Sequence, residues 1–223
     1  ALDAPFACFQ PADHAPGISP PPAARRGYVT LGSLHKLEKI GPEVIACWAR
    51  VLQDLPDAKL LLVRDHLDAW QRRRLLGQFL DHDIGEERLE LMPGRPAGGS
   101  FQEFWADIDI YLDTFPWSGH TMACHALWCG VPVVTLAGRS HASRMVASVL
   151  HAIERVEWIT EDEAGYRAAV SRLANDPAAL AEERRTLRTR LGDSAVMDGA
   201  AFALAFERLI EQRFSALATS TSP

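Results

Sequence analysis

DTFPWSGHTMACHALWCGVPVVT, residues 113–135, joins the end of one strand to a loop, a short helix and the strand that follows. Ahead of it, residues 108–112 (IDIYL) are apolar and partly β-branched, the composition of a buried strand. Pro116 and Gly119 mark the loop, and Gly130 and Pro132 stop the helical segment. Residues 131–136 then read as the next buried strand. A helix N-terminus at the carboxyl edge of a parallel sheet carries about half a positive charge and several unpaired N–H groups, so it attracts an anion such as a diphosphate. Gly119, His120 and Thr121 form the candidate cradle, the last two adding side-chain donors. The spacing matches neither GxGxxG nor Walker A, so from the residues alone Gly119 is equally well a simple turn.

Outward from this stretch, strand-like and helix-like runs alternate. Strands are expected at 28–32, 59–64, 88–92, 108–112 and 131–136. Helices are expected near 42–55, 67–80 and 101–106, after Gly119, and at 141–151. Strict alternation with short connections implies an α/β fold, a Rossmann-like doubly wound parallel sheet covered by helices on both faces. Ligands of such sheets bind beyond the strand carboxyl ends, where the strand order reverses. After residue 157 the pattern turns helical, at 161–173, 177–191 and 198–213. The last carries Phe202, Phe206, Leu209 and Ile210 on one stripe, expected to pack along the sheet or against a partner lobe. Residues 1–27 hold six of the fourteen prolines and are expected to be a linker laid over a surface. Residues 28–214 form the lobe, and residues 215–223 are expected to be a disordered tail.

The chain has 223 residues, 48% of them hydrophobic, a net charge of −6 and a pI near 5.7. This balance argues against a nucleic-acid partner, which calls for a basic face. The basic run at 72–74 is a solvated helix face on the commoner reading. Cys8, Cys47, Cys124 and Cys129 show no CxxC spacing, so neither a metal site nor a disulfide framework is indicated, and a cytoplasmic location is expected. No apolar run reaches the roughly 18 residues of a membrane span, so no membrane partner is expected. The first residue is Ala1 rather than Met, which suggests a trimmed chain or a piece of a longer one.

Lys39, in GSLHKLEKIGPEV, lies between the first strand and a helix expected to begin at Pro42. From that loop it reaches a phosphate at the same sheet edge, or it is an ordinary surface lysine. Phe101 follows a loop containing Arg95 and several glycines and prolines; it is a stacking face for a nucleobase, with Arg95 nearby, or a core ring. His125, a turn and a half beyond His120, is more simply a packed structural histidine than a ligand. Ser140 reads as an N-cap, and Arg144 as an anion contact or, more commonly, a carboxylate partner. Asp109 reads as structural and Asp113 as an orienter of the loop.

GSLHKLEKI, RLELMPGRP, the run from Asp109 to Leu150 and SAVMDGAAFALAFERL together resemble the carboxyl-terminal catalytic lobe of the O-GlcNAc transferase and SPINDLY-like glycosyltransferases, family 41. The resemblance extends over residues 7–213. It implies the second lobe of a GT-B enzyme, with additional carboxyl-terminal helices, and residues 1–27 as the interlobe linker. The implied activity is inverting transfer of a sugar, GlcNAc from UDP-GlcNAc, to Ser or Thr of proteins, without a metal or other cofactor. By the same resemblance Lys39 contacts the donor diphosphate and is the catalytic residue, Lys36 is a polar donor contact, Phe101 lies against the uracil, and His120 and Thr121 hold the phosphates. His125 stands where the family carries Asp or Glu toward the ribose, Met122 where a second threonine is common, and Leu34, His35 and Lys36 where an asparagine-rich loop is usual. Protein acceptors are implied to bind a first lobe and tetratricopeptide repeats that this segment lacks, so the isolated lobe is expected to be inactive. The alternatives are a degenerate nucleotide-binding or interaction module without catalysis, and an O-fucosyltransferase lobe using GDP-fucose.

Overall fold

In the computed structural model the described residues are 5–12, 15–94 and 101–220, side chains excepted at 101–102 and 216–220. After a short α1 (Ala23–Arg26), the chain runs β1 (Thr30–Ser33), α2 (Pro42–Asp54), β2 (Lys59–Arg64), α3 (Ala69–Leu80) and β3 (Leu89–Pro93). It continues with β4 (Ile110–Leu112), α4 (His120–Trp128), β5 (Val133–Leu136), α5 (Met145–Ala152) and β6 (Ile159–Thr160). It ends with α6 (Glu163–Ala174), α7 (Pro177–Gly192) and α8 (Gly199–Ser220). The six strands form one sheet in the order β3-β2-β1-β4-β5-β6, every pair parallel. This is the doubly wound Rossmann order, and its reversal falls between β1 and β4.

Local chemistry explains the elements. Pro42 opens α2, where its missing N–H costs nothing. The buried face of α2, including Val44, Ile45, Trp48, Val51 and Leu52, then packs into the core. Asp68, Asp162 and Asp176 cap α3, α6 and α7 by accepting first-turn amides. The central strands are buried along their whole length, as a sheet covered on both faces requires. Trp48, Phe79, Trp105, Tyr111 and Tyr166 are the large rings of the core.

Several expectations change. A sixth strand, β6, follows residue 157, where only helices were expected; two residues are too few to show a period. Residues Phe101–Asp107 form a 3-10 helix, and the expected helix at 141–151 divides into a 3-10 turn, His141–Ser143, and α5. Ser140 does act as a cap, for that 3-10 turn. The stripe on α8 is not laid on the sheet: Leu204, Phe206, Ile210 and Phe214 are exposed, with Phe202 stacked on Phe206 at 6.3 Å. An amphipathic period identifies a face without saying what covers it. Helix α8 also runs to Ser220, into the stretch expected to be a disordered tail, because Ala216, Leu217 and Ala218 are good helix formers.

The proline-rich start lies against the lobe. Arg184, buried in α7, donates to the Ser19 carbonyl at 3.2 Å and to that of Ile108 at 2.7 Å. Arg188 donates to Pro16 O at 2.6 Å, and the Phe9 amide to Val196 O at 2.8 Å. Among the described residues no helix is long and apolar enough to cross a membrane.

Candidate functional site

The crevice at the strand-order reversal is built by two loops, one after β1 and one after β4. After β1 a 3-10 turn, Leu37–Lys39, swings Lys39 back over the sheet edge. Its Nζ donates to the Ser118 carbonyl at 3.0 Å and lies 4.6 Å from the centre of the Trp117 ring. Burial holds the Lys39 pKa below its usual 10.5; Asp113 opposes that shift and Lys36 adds to it.

After β4, Asp113 organises the loop. Fully buried, it accepts the Gly119 amide at 2.8 Å on one oxygen and the Thr135 hydroxyl at 2.6 Å on the other. Its backbone carbonyl accepts from the Tyr166 hydroxyl at 3.0 Å. The Thr114 hydroxyl closes the turn on the Trp117 carbonyl at 2.8 Å. Ser118 ties the loop to α5: its amide donates to Ala142 O, and its hydroxyl accepts the Val146 amide, both at 3.0 Å. Gly119 is required by closeness, since a Cβ there would lie 2.0 Å from Cε1 of His35.

These contacts aim the N-terminus of α4 into a cavity of about 340 Å³. Its wall includes Lys36, Lys39, Arg64, His120 and Thr121, with His35 and Trp117 beside them, and among the described residues no carboxylate. Unlike α3, α6 and α7, helix α4 has no side-chain cap, so its first-turn amides at His120, Thr121 and Met122 are left for another acceptor. Burial lowers the His120 pKa below 6.5, so its imidazole is neutral at pH 7. His35 Nε2, also buried, lies 3.2 Å from Asp113 Oδ1 but without hydrogen-bond geometry, leaving a polar atom unsatisfied in the cavity wall. Arg64 is oriented there by its bond to the Leu34 carbonyl at 3.1 Å.

Of the residues singled out from sequence, the fold thus brings Lys36, Lys39, Gly119, His120 and Thr121 to one cavity. The part assigned to Gly119 changes: its amide is already taken by Asp113, so it shapes the cradle and has no N–H to offer an anion. His125 does not line the cavity; it packs edge-on against Phe9, centroids 5.0 Å apart, with its pKa lowered by burial. Its position one and a half turns along α4 turns it away from His120. Arg144 donates to the Gly138 carbonyl at 3.2 Å, where an anion or a carboxylate partner was expected. Arg95 and the Phe101 side chain lie outside the described residues. Arg64 and Trp117 escaped notice, and His35 was named only as part of a replaced loop; their one signal is that each closely follows or ends a strand at its carboxyl side. Asp109 is structural as read, accepting the Thr30 amide at 2.8 Å and the Ala23 amide at 3.1 Å. Among the described residues no three His, Cys, Asp or Glu side chains are grouped as a metal ion requires.

A family model described as "Glycosyl transferase family 41" matches residues 27–205. The probable UDP-N-acetylglucosamine–peptide N-acetylglucosaminyltransferase SPINDLY of Solanum lycopersicum is 32% identical over 198 residues, 88% of this chain and 21% of the relative. Its counterpart from Arabidopsis thaliana is 33% identical over 203 residues, 91% of this chain and 22% of the relative. A mutant O-GlcNAc transferase of Thermobaculum terrenum superposes with a TM-score of 0.87 at 30% identity, covering 99% of this chain and 42% of that one. The chain spans about a fifth of the length of the curated relatives it matches.

Proposed function

The chain belongs to glycosyltransferase family 41, and we propose that it is the donor-binding lobe of an inverting protein O-glycosyltransferase, carrying GlcNAc from UDP-GlcNAc to Ser or Thr hydroxyls. One observation carries this reading. At the strand-order reversal, Lys36, Lys39, Arg64 and the uncapped N-terminus of α4 converge on one cavity whose described lining holds no carboxylate, in a chain whose net charge is −6. Such a wall suits a diphosphate. The SPINDLY relatives, named as probable UDP-N-acetylglucosamine–peptide transferases, favour UDP-GlcNAc as the nucleotide sugar.

The mechanism is electrostatic. As the bond from the anomeric carbon to the diphosphate breaks, negative charge grows on the leaving oxygen. Lys39 leaves its resting contacts with Ser118 O and the Trp117 face to meet that charge. The first-turn amides of α4 and the neutral His120 donate to the same group. Protein cations neutralise the diphosphate in this scheme, so transfer proceeds without a metal. The acceptor hydroxyl attacks from the opposite face, with its base and protein-binding surface supplied by a first lobe and tetratricopeptide repeats.

Calorimetric titration with UDP and with GDP tests the reading. Binding of UDP supports it, preference for GDP replaces the donor by GDP-fucose, and binding of neither leaves an interaction module without a donor site. A lobe without its partner cannot exclude water from the sugar, so this chain alone should show little or no transfer from UDP-GlcNAc. Robust turnover by the purified chain would contradict that assignment.

A further inference from the structure

The proline-rich start does more than cover a surface, because two of its rings reach the histidines of α4. Phe9 is anchored, only 8% exposed, its amide bonded to Val196 and its ring edge-on to His125 at 89°. Three residues earlier, Phe6 sits between two imidazoles. Its ring centre is 4.9 Å from that of His120, tilted by 60°, and 4.8 Å from that of His141, nearly perpendicular at 80°. Phe6 also walls a neighbouring cavity of about 340 Å³ with His141, Arg144 and Met145, and Met145 is shared with the diphosphate cavity.

The orientation of His120 matters more than its presence. A neutral imidazole has one N–H and one lone pair, and a flipped ring puts a carbon where a nitrogen stood, so it takes the donor away from the phosphate. The second side-chain torsion of histidine is broad and roughly two-fold, so it does not choose between them. No side-chain hydrogen bond within the described residues orients His120, and its ring lies against that of Phe6.

We propose that residues 6–9 form an aromatic clasp, with Phe9 as its anchor and Phe6 as the positioning residue that sets the His120 ring toward the donor phosphate. The inference rests on the donor-site reading and adds to it a segment that composition marks as a linker. Edge and tilted ring contacts of this kind are directional, because the positive edge of one ring meets the negative face of another. The charged groups that line the cavity with His120 are Lys36 and Lys39 from the loop after β1 and Arg64 from β2, and Asp113 lies behind Gly119. Across Phe6 stands His141.

The test uses the whole chain, with UDP titration by calorimetry and the His120 ring nitrogens followed by NMR. Phe6→Ala should weaken UDP about two- to tenfold, the range of one aromatic pair, and should shift the His120 ring signals. Phe6→Tyr should restore both. Phe6→Leu keeps the bulk without the aromatic edge and should bind as weakly as Phe6→Ala. Unchanged affinity in Phe6→Ala, weakened affinity with unmoved His120 signals, or full affinity in Phe6→Leu would each overturn the clasp. If the unaltered chain binds neither UDP nor GDP, the donor-site reading fails, and the His120 signals of Phe6→Ala still decide whether Phe6 orients that ring.

Discussion

The two edges of the sheet carry cavities of similar size and opposite character. The one at the amino edge is larger, about 460 Å³ against about 340 Å³, and is lined by Pro21, Tyr28, Leu55, Pro56 and Leu180 among others. Its charged lining residues are Asp54 and Asp57, whereas those at the carboxyl edge include Lys36, Lys39 and Arg64. Strand polarity produces the contrast. In a parallel sheet with helical crossovers, helices start at the carboxyl edge and end at the amino edge. Asp54 and Leu55 close α2, and Ala174 and Asn175 close α6, at the larger cavity. Helix C-termini carry the negative half-charge of the dipole, and the start of α7 at Pro177, which also lines this cavity, is capped by Asp176. Size alone would choose the larger cavity for a ligand; the sign of the field chooses the smaller one for a diphosphate.

Substitutions can break this comparison in order of expected effect. Asp113→Ala removes the acceptor of the Gly119 amide and the Thr135 hydroxyl, both buried. Two unsatisfied groups at about 1–3 kcal/mol each predict a loss of about 2–6 kcal/mol of stability in urea unfolding. Wild-type stability would mean that the loop is held by something else. Lys39→Ala removes one charged donor from the phosphate, and UDP binding should weaken by about 1.5–3 kcal/mol in calorimetry. An unaltered Kd would take Lys39 out of the site.

The pH dependence is gentler and has a definite sign. Burial lowers the folded-state pKa of Lys39 below 10.5, so between the two values the unfolded chain binds more protons, and stability rises with pH there. Over the same range Lys39 loses its charge, so UDP affinity should fall as pH rises from neutral toward 10.5. Affinity that stays flat in the native chain, or falls as steeply in Lys39→Ala, would assign the effect elsewhere. The smallest effect belongs to the amino edge. Asp57→Ala should leave UDP binding within about 0.5 kcal/mol of wild type, as surface changes away from special features do. A large loss there would reverse the assignment of the two edges.

Much of the carboxyl edge was legible because its signals are local. Pro42, Gly119, Gly130 and Pro132 mark where helices and turns begin and end, and Lys39 sits in a strand-to-helix loop whatever surrounds it. The family resemblance added what the residues alone did not decide, the functional reading of Lys39, His120 and Thr121. Arg64 was missed, and His35 was given no role of its own, because neither stands in a recognisable pattern; each matters through what lies across the crevice. His125 drew attention as a departure from the family, yet the structure places its ring against Phe9 and outside the cavity wall. The amino-terminal prolines pointed to a segment laid over a surface, although its last residues, Ala23–Arg26, form α1. They carried no sign of the arginines of α7 that hold it, or of the histidines that Phe6 and Phe9 meet.

The sequence by itself determined the alternation of strands and helices, hence a parallel doubly wound sheet with an anion-attracting helix start at its carboxyl edge. Those features follow from periodicity and from glycine and proline at particular positions, which act over a few residues. Only the tertiary structure decided which loops share the crevice. It set Lys39 against Ser118, 79 residues away, gave the Gly119 amide to Asp113, and brought the amino-terminal rings to α4. Such contacts arise from strand order and close packing, and neither is written in the spacing of any one segment.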